Sequence, residues 1–183
     1  LRLLVADAAA VALLWPLCAP MVAAPERPGE GGETPRFVLP TLGILLLVVV
    51  TLPAMLLEGA SIDWSVIYMR DSFQVTAFVN GLAFVAAAGF QAAARFFADP
   101  FVDRHGPVRV TRVLLALLGA GCLLVTFSPW PWAALAGFAL IGTGSSSIFP
   151  LAMSAAAQRR DRRAAVNVAA LAQLSFVVFL LAP

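Results

Sequence analysis

From Phe37 to Leu57 the chain runs for 21 residues without a charged side chain. A hydrocarbon core is crossed by about 20 apolar residues, so this run reads as a helix through a bilayer. Glu58 and Asp63 follow at once, in the stretch Leu56-Leu57-Glu58-Gly59-Ala60-Ser61-Ile62-Asp63-Trp64-Ser65, and the chain then turns apolar again. Carboxylates placed so are costly unless they face water or a protein interior. The stretch is therefore where a solute or proton site is sought first. The bland alternative is that both acids sit at the interface and hold an outer helix end.

The remainder of the chain agrees with lipid as its solvent. Hydrophobic residues make up 61% and charged residues 12%, too little polar surface for a soluble domain of this size. All twelve basic residues are arginine and the net charge is only +2, which argues against nucleic acid as a partner. Cys18 and Cys122 lie in apolar spans with no CxxC and no nearby His. They read as core thiols, and neither a metal nor a cofactor is indicated. Trp130 and Trp132 flank a turn and read as interfacial belt residues. The chain opens without Met and with no recognisable signal peptide, and it closes inside the apolar run Phe176–Pro183. It is read as a piece of a longer membrane protein.

Six apolar segments are expected. The first covers Leu1 to about Ala24, and a Pro-, Gly- and Glu-rich linker, Pro25–Arg36, follows it as a solvated loop. The second, Phe37 to about Tyr68, would span roughly 48 Å as a helix against a core of about 30 Å. Pro53 and Gly59 offer places for it to bend or break. The third runs from about Val75 to Phe97, the fourth from Val110 to Phe127, the fifth from Trp132 to Ala157, and the sixth from Ala164 onward. Arg104, Arg109 and Arg112 fill the turn after the third span, and Arg159, Arg160, Arg162 and Arg163 the turn after the fifth. The intervening turns carry little charge. By the positive-inside rule the Arg-rich turns and the linker are expected on the cytoplasmic side of the plasma (inner) membrane. Gly119, Gly121, Gly137, Gly142 and Gly144, with the Ala-rich third span, suit close helix packing in lipid.

The segment Ala94-Arg95-Phe96-Phe97-Ala98-Asp99-Pro100-Phe101-Val102-Asp103-Arg104-His105-Gly106-Pro107, with Arg109 beyond it, ties two spans by a short charged corner. It resembles the cytoplasmic loop motif of the major facilitator superfamily, although Ala94 stands where that family usually has Gly and Pro100 where a basic residue is common. Carboxylate and guanidinium groups at such a corner can pair in one conformation and part in another, and Gly106 supplies a turn that other residues would strain. The bland alternative is ordinary positive-inside arginines with an incidental Asp. Glu58 through Ser65, with Tyr68, Arg70 and Asp71, resembles the seventh helix of a sugar- or fucose-permease-like branch. Gly142-Thr143-Gly144-Ser145-Ser146-Ser147-Ile148-Phe149-Pro150, ending in Ser154, is similar to its tenth.

The resemblance implies an all-α polytopic helix bundle: helices six to eleven of twelve, half of the family fold. Residues 1–24 would be the sixth helix, 25–36 the cytoplasmic central loop, and 37–183 the carboxyl-terminal bundle, truncated in its last helix. The partners implied are the lipid bilayer, a small polar solute of sugar type, protons, and an N-terminal half of the same transporter. The pathway set is Glu58, Asp63, Trp64, Asn80, Ser146 and Gln173; the conformational set is Arg95, Asp99, Asp103, Arg104, Gly106 and Arg109.

Two geometric expectations accompany these sets. Glu58 lies about 26 Å beyond Thr41 along a helix, toward the outer half of the membrane, and Asp63 is about 140° around the axis unless Gly59 breaks it. Ser145–Ser147 either line a polar path or bond back to the preceding turn, the commoner use. Asn80, Gln91, Asn167 and Gln173 serve a solute or act as glue between helices. An intramembrane serine protease is rejected, since it needs a Ser and a His within hydrogen-bond reach. His105, the lone histidine of the sequence, lies in an Arg-rich turn. A scaffold, or a half-transporter acting alone, is the remaining alternative.

Overall fold

The computed structural model describes residues 39–181. Within them the chain forms six helices: α1 Leu42–Phe73, α2 Ala77–His105, α3 Pro107–Phe127, α4 Pro131–Ser145, α5 Ile148–Gln158 and α6 Ala164–Leu181. The expected first span and the linker to Arg36 lie outside the described residues. By length and apolarity α1, α2, α3 and the combined α4–α5 rod can each cross a membrane, while α6 carries a shorter apolar stretch, Ala164–Val177. Short turns join the spans, so successive ones run antiparallel.

Local chemistry sets the turns. α1 ends at Gln74, which adopts a left-handed conformation (φ 48°) and donates its N–H to the Arg70 carbonyl at 3.2 Å. Pro107 and Pro131 open α3 and α4, where a missing N–H costs nothing and the fixed φ is already helical. Gly106 alone separates α2 from α3, at φ 79° and ψ 151°, a region closed to side chains with a Cβ. The expected charged loop is thus nearly all helix. α2 continues past Phe97 and through Pro100 to His105, because Pro100 removes a single donor and the apolar residues around it keep the helical period. α1 is likewise unbroken at both Pro53 and Gly59; a helix this long fits a bilayer by tilting.

α4 is the centre of the bundle, packed by α1, α2 and α3, with α5 and α6 closing against α1. One core joins Met69, Ala87, Leu118, Phe138 and Ile141 among others, and a second joins Ile44, Val48, Ala152, Ala156 and Leu171. Tyr68 packs edge-on against Phe73 and Phe138 and donates its hydroxyl to the Val125 carbonyl. Backbones touch where glycine permits. A Cβ on Gly121 would lie 2.7 Å from the Gly137 carbonyl, one on Gly144 would lie 2.6 Å from the Leu118 nitrogen, and one on Gly142 would overlap the Ala87 carbonyl. Gly119, expected among these contacts, faces open space instead.

The distribution of polarity is inverted relative to a soluble domain. Thr51, Ser61, Ser65, Asn80, Ser145, Asn167 and Ser175 are buried, while Leu46, Val49, Phe90, Phe96 and Leu123 point outward. This is an integral membrane bundle, with lipid as solvent for the outer face and van der Waals contact between close backbones holding the inner one.

One polar cluster ties the start of α1 to the turn between α5 and α6. The Asp161 carboxylate accepts from Asn167 Nδ2 (2.8 Å), Thr41 Oγ1 (3.0 Å), Arg159 Nε (3.1 Å) and the Arg162 N–H (3.1 Å). Arg162 reaches back to the Leu39 carbonyl at 2.7 Å. The Arg159 guanidinium lies over Gly43, in space that a side chain there would occupy. Donation by Asn167, then by Arg159 and Thr41, lowers the Asp161 carboxyl from 3.8 to about 2. A depressed folded-state value means the carboxylate stabilises the fold above the unfolded pKa. That contribution is lost as pH falls through the folded value. Asp161→Ala should therefore lower the thermal midpoint at neutral pH and flatten its fall between about pH 4 and pH 2; an unchanged acid limb would show that the cluster is ornamental.

Candidate functional site

Close to the midpoints of three spans, the bundle carries a polar layer. Arg95, in α2, donates Nε to the Ser146 carbonyl at 2.8 Å and places Nη2 3.3 Å from Glu58 Oε1 of α1. One turn earlier on α2, Gln91 Nε2 donates to Ser145 Oγ at 3.3 Å. The carbonyl that receives Arg95 is available because the α4–α5 rod breaks at Ser146 and Ser147. Ser147 leaves the helical region at φ −127° and ψ 3°, so the break exposes an oxygen that a continuous helix would use. The ion pair is open on one side: the Glu58 side chain is 29% exposed and that of Arg95 51%.

Arg95 is therefore not part of the charged corner where the sequence placed it. Because α2 extends to His105, Arg95 stands about 15 Å from the end of its helix. Glu58 also moves. α1 runs on to Phe73, which puts Glu58 near the helix midpoint rather than in its outer half. With Gly59 helical, Asp63 turns away from Glu58, and both Asp63 and Trp64 are exposed on a different face. The structure does not gather those two with Glu58.

Asn80 is buried near the start of α2, far along that helix from Arg95, with Nδ2 3.5 Å from the Val75 carbonyl and Oδ1 lacking a partner among the described residues. Gln173 is half-buried within α6. The serine hydroxyls bond back: Ser145 Oγ to the Gly142 carbonyl (3.2 Å) and Ser146 Oγ to the Thr143 carbonyl (2.7 Å). Ser146 thus contributes its backbone oxygen to the layer and not its hydroxyl. In the sequence Gln91 stands out only as a polar residue near mid-span; its spacing of four from Arg95, one helical turn, is the signal that joins the two.

At the Arg-rich corner, Asp99, Asp103, Arg104 and Arg109 are exposed, and among the described residues they form no ion pair. His105 Nδ1 meets the Phe101 carbonyl at 3.2 Å and its ring stacks on Phe101. With Ser146 Oγ bonded to Thr143, no serine–histidine hydrogen bond exists among the described residues.

An all-helical membrane bundle with a charge pair beside a broken span defines a polytopic integral membrane protein with a polar centre. Residues 46–183 match the family model described as Major Facilitator Superfamily, and the chain belongs to that family. It is 30% identical over 157 residues to the uncharacterized transporter y4wD of Sinorhizobium fredii, a match covering 86% of this chain and 41% of that protein. It is 29% identical over 140 residues to the membrane protein MosC of Rhizobium meliloti, covering 76% and 34%. An uncharacterized MFS-type transporter of Yersinia pestis is 23% identical over 155 residues, covering 85% and 40%. The chain spans about two-fifths or less of the length of these relatives. No solved structure matches it significantly.

Proposed function

We propose that this chain is the carboxyl-terminal half of a twelve-helix secondary transporter, a transport protein rather than an enzyme, which moves a small hydroxylated solute of sugar type by alternating access. The observation that carries this reading is the Arg95–Glu58 pair at the Ser146 break. Transporter sites lie near the bilayer midplane, where interrupted helices free backbone carbonyls and charged side chains become affordable inside protein. A carboxylate that accepts and a guanidinium that donates suit vicinal hydroxyls, and the open side of the pair is where a solute from the other half's direction would enter. The unpaired corner residues Asp99, Asp103, Arg104 and Arg109, hinged at Gly106, would pair when the Arg-rich, cytoplasmic side closes.

Glu58 is the proposed proton carrier. When it takes a proton its hold on Arg95 loosens, and the guanidinium is freed for the solute. In proteoliposomes of the full-length protein, Glu58→Gln should abolish uptake driven by a pH gradient while weakening counterflow exchange, which needs no net proton movement, far less. Retention of pH-driven uptake would end the proton role.

A further inference from the structure

α2 and α3 are joined by one glycine yet hardly pack on each other; both lean on α4. Between them opens a groove of about 560 Å³. Phe97 and Phe101 of α2 form one wall, Val113 and Leu117 of α3 the other, and Ser147 lies at the floor. Its mouth, at the Arg-rich end of the bundle, carries Arg109. The carboxylates of that end, Asp99 and Asp103, do not line it.

From this geometry we infer a binding site for an anionic phospholipid, with one acyl chain in the groove and the phosphate on Arg109. Depth, lining and charge each point to that occupant. From Arg109 to Leu117 the α3 wall descends about 12 Å, close to the half-thickness of a hydrocarbon core of about 30 Å. The groove thus runs from the leaflet surface to the midplane, the reach of one chain in one leaflet. Phe97, Phe101 and Val113 are largely exposed, a cost in water and none against an acyl tail. Arg109, Arg104 and Arg112 are exposed on the same corner, which in this site would stand at headgroup level. A guanidinium there can hold a phosphate through two parallel hydrogen bonds, and basic pockets between spans select anionic headgroups. The groove floor abuts the break that receives Arg95, so the bound tail would press on the polar layer from its lipid side.

The test uses the full-length protein in phosphatidylcholine vesicles doped with phosphatidylglycerol bearing a photoreactive diazirine midway along one chain. Label is expected on the peptides containing residues 94–101 and 110–117. Unlabelled phosphatidylglycerol should compete and phosphatidylcholine should not. Arg109→Gln and the groove-filling Ala98→Trp should each cut labelling at least fivefold, while Arg109→Lys, which keeps the charge but not the paired hydrogen bonds, should lose less than Arg109→Gln. Label spread evenly over outward helix faces, or equal competition by phosphatidylcholine, would overturn the site. So would cysteine cross-links showing that another segment of the polypeptide fills the groove.

Discussion

Replacing Gly142 with leucine should leave little folded protein in detergent, and even Gly142→Ala should lower the thermal midpoint sharply. A side chain at this position meets the carbonyl of Ala87 on α2, and a backbone oxygen has no rotamer by which to yield. The two helices must separate. Overpacking of a tight core typically costs about 1–3 kcal/mol, and here the separation also strains neighbouring polar contacts. Ser145 holds Gln91, and the Ser146 carbonyl holds Arg95; both lie within four residues of Gly142, at the end of α4 and the start of the break. The control is Gly119→Ala on α3, where a Cβ meets nothing. That change should be neutral or stabilising by up to about 1 kcal/mol, since alanine is the better helix former. Size-exclusion profiles and thermal melts of the two alanine variants decide the matter, and equal behaviour would refute the close approach of α2 and α4.

Arg95→Gln should reduce transport by the full-length protein at least tenfold and also lower its folded yield. The two losses have different origins, and the double variant separates them. Removing the guanidinium strands Glu58 at mid-span, where a lone charge costs about 2.5–3.5 kcal/mol on insertion scales, and leaves the Ser146 carbonyl without its donor. The pair is half-open, so its net worth in the intact protein is modest. Breaking one side costs more than removing both, because an unpaired charge remains. Arg95→Gln with Glu58→Gln should therefore recover much of the yield but none of the transport. If the double variant folds no better than Arg95→Gln alone, the two side chains are not coupled. If it transports, the pair is not the site.

Much of the bundle could be read from the chain because apolar runs and their punctuation are local. Gly106, Pro107, the Trp130 turn and the Arg-rich turn after α5 all fall where the residues announce them. The end of α2 lies beyond its expected place for an equally local reason. Asp99, Pro100, Asp103 and Arg104 are loop-like in composition, yet each tolerates a helical conformation, and nothing nearby forces an exit before Gly106. The difference of about eight residues shifts Arg95 from the edge of a span to its middle, and with it the partner of Glu58 comes into view. Asp161 is illegible for another reason: in sequence it is an acid among arginines, and while Asn167 lies six residues on in α6, Thr41 lies 120 residues away at the start of α1. The groove between α2 and α3 depends on how far neighbouring helices diverge, which periodicity does not encode.

The bond from Thr41 to Asp161 spans 120 residues of chain. A ribosome adding about 5–20 residues per second needs about 6 to 24 seconds to cover that distance. Throughout that interval α1 sits in the membrane with its Arg-rich-side end untied, and the carbonyl of Leu39 awaits Arg162. The last-made turn thus closes the first-made helix of the described bundle, and a nascent chain arrested before Asp161 would lack the means to do so.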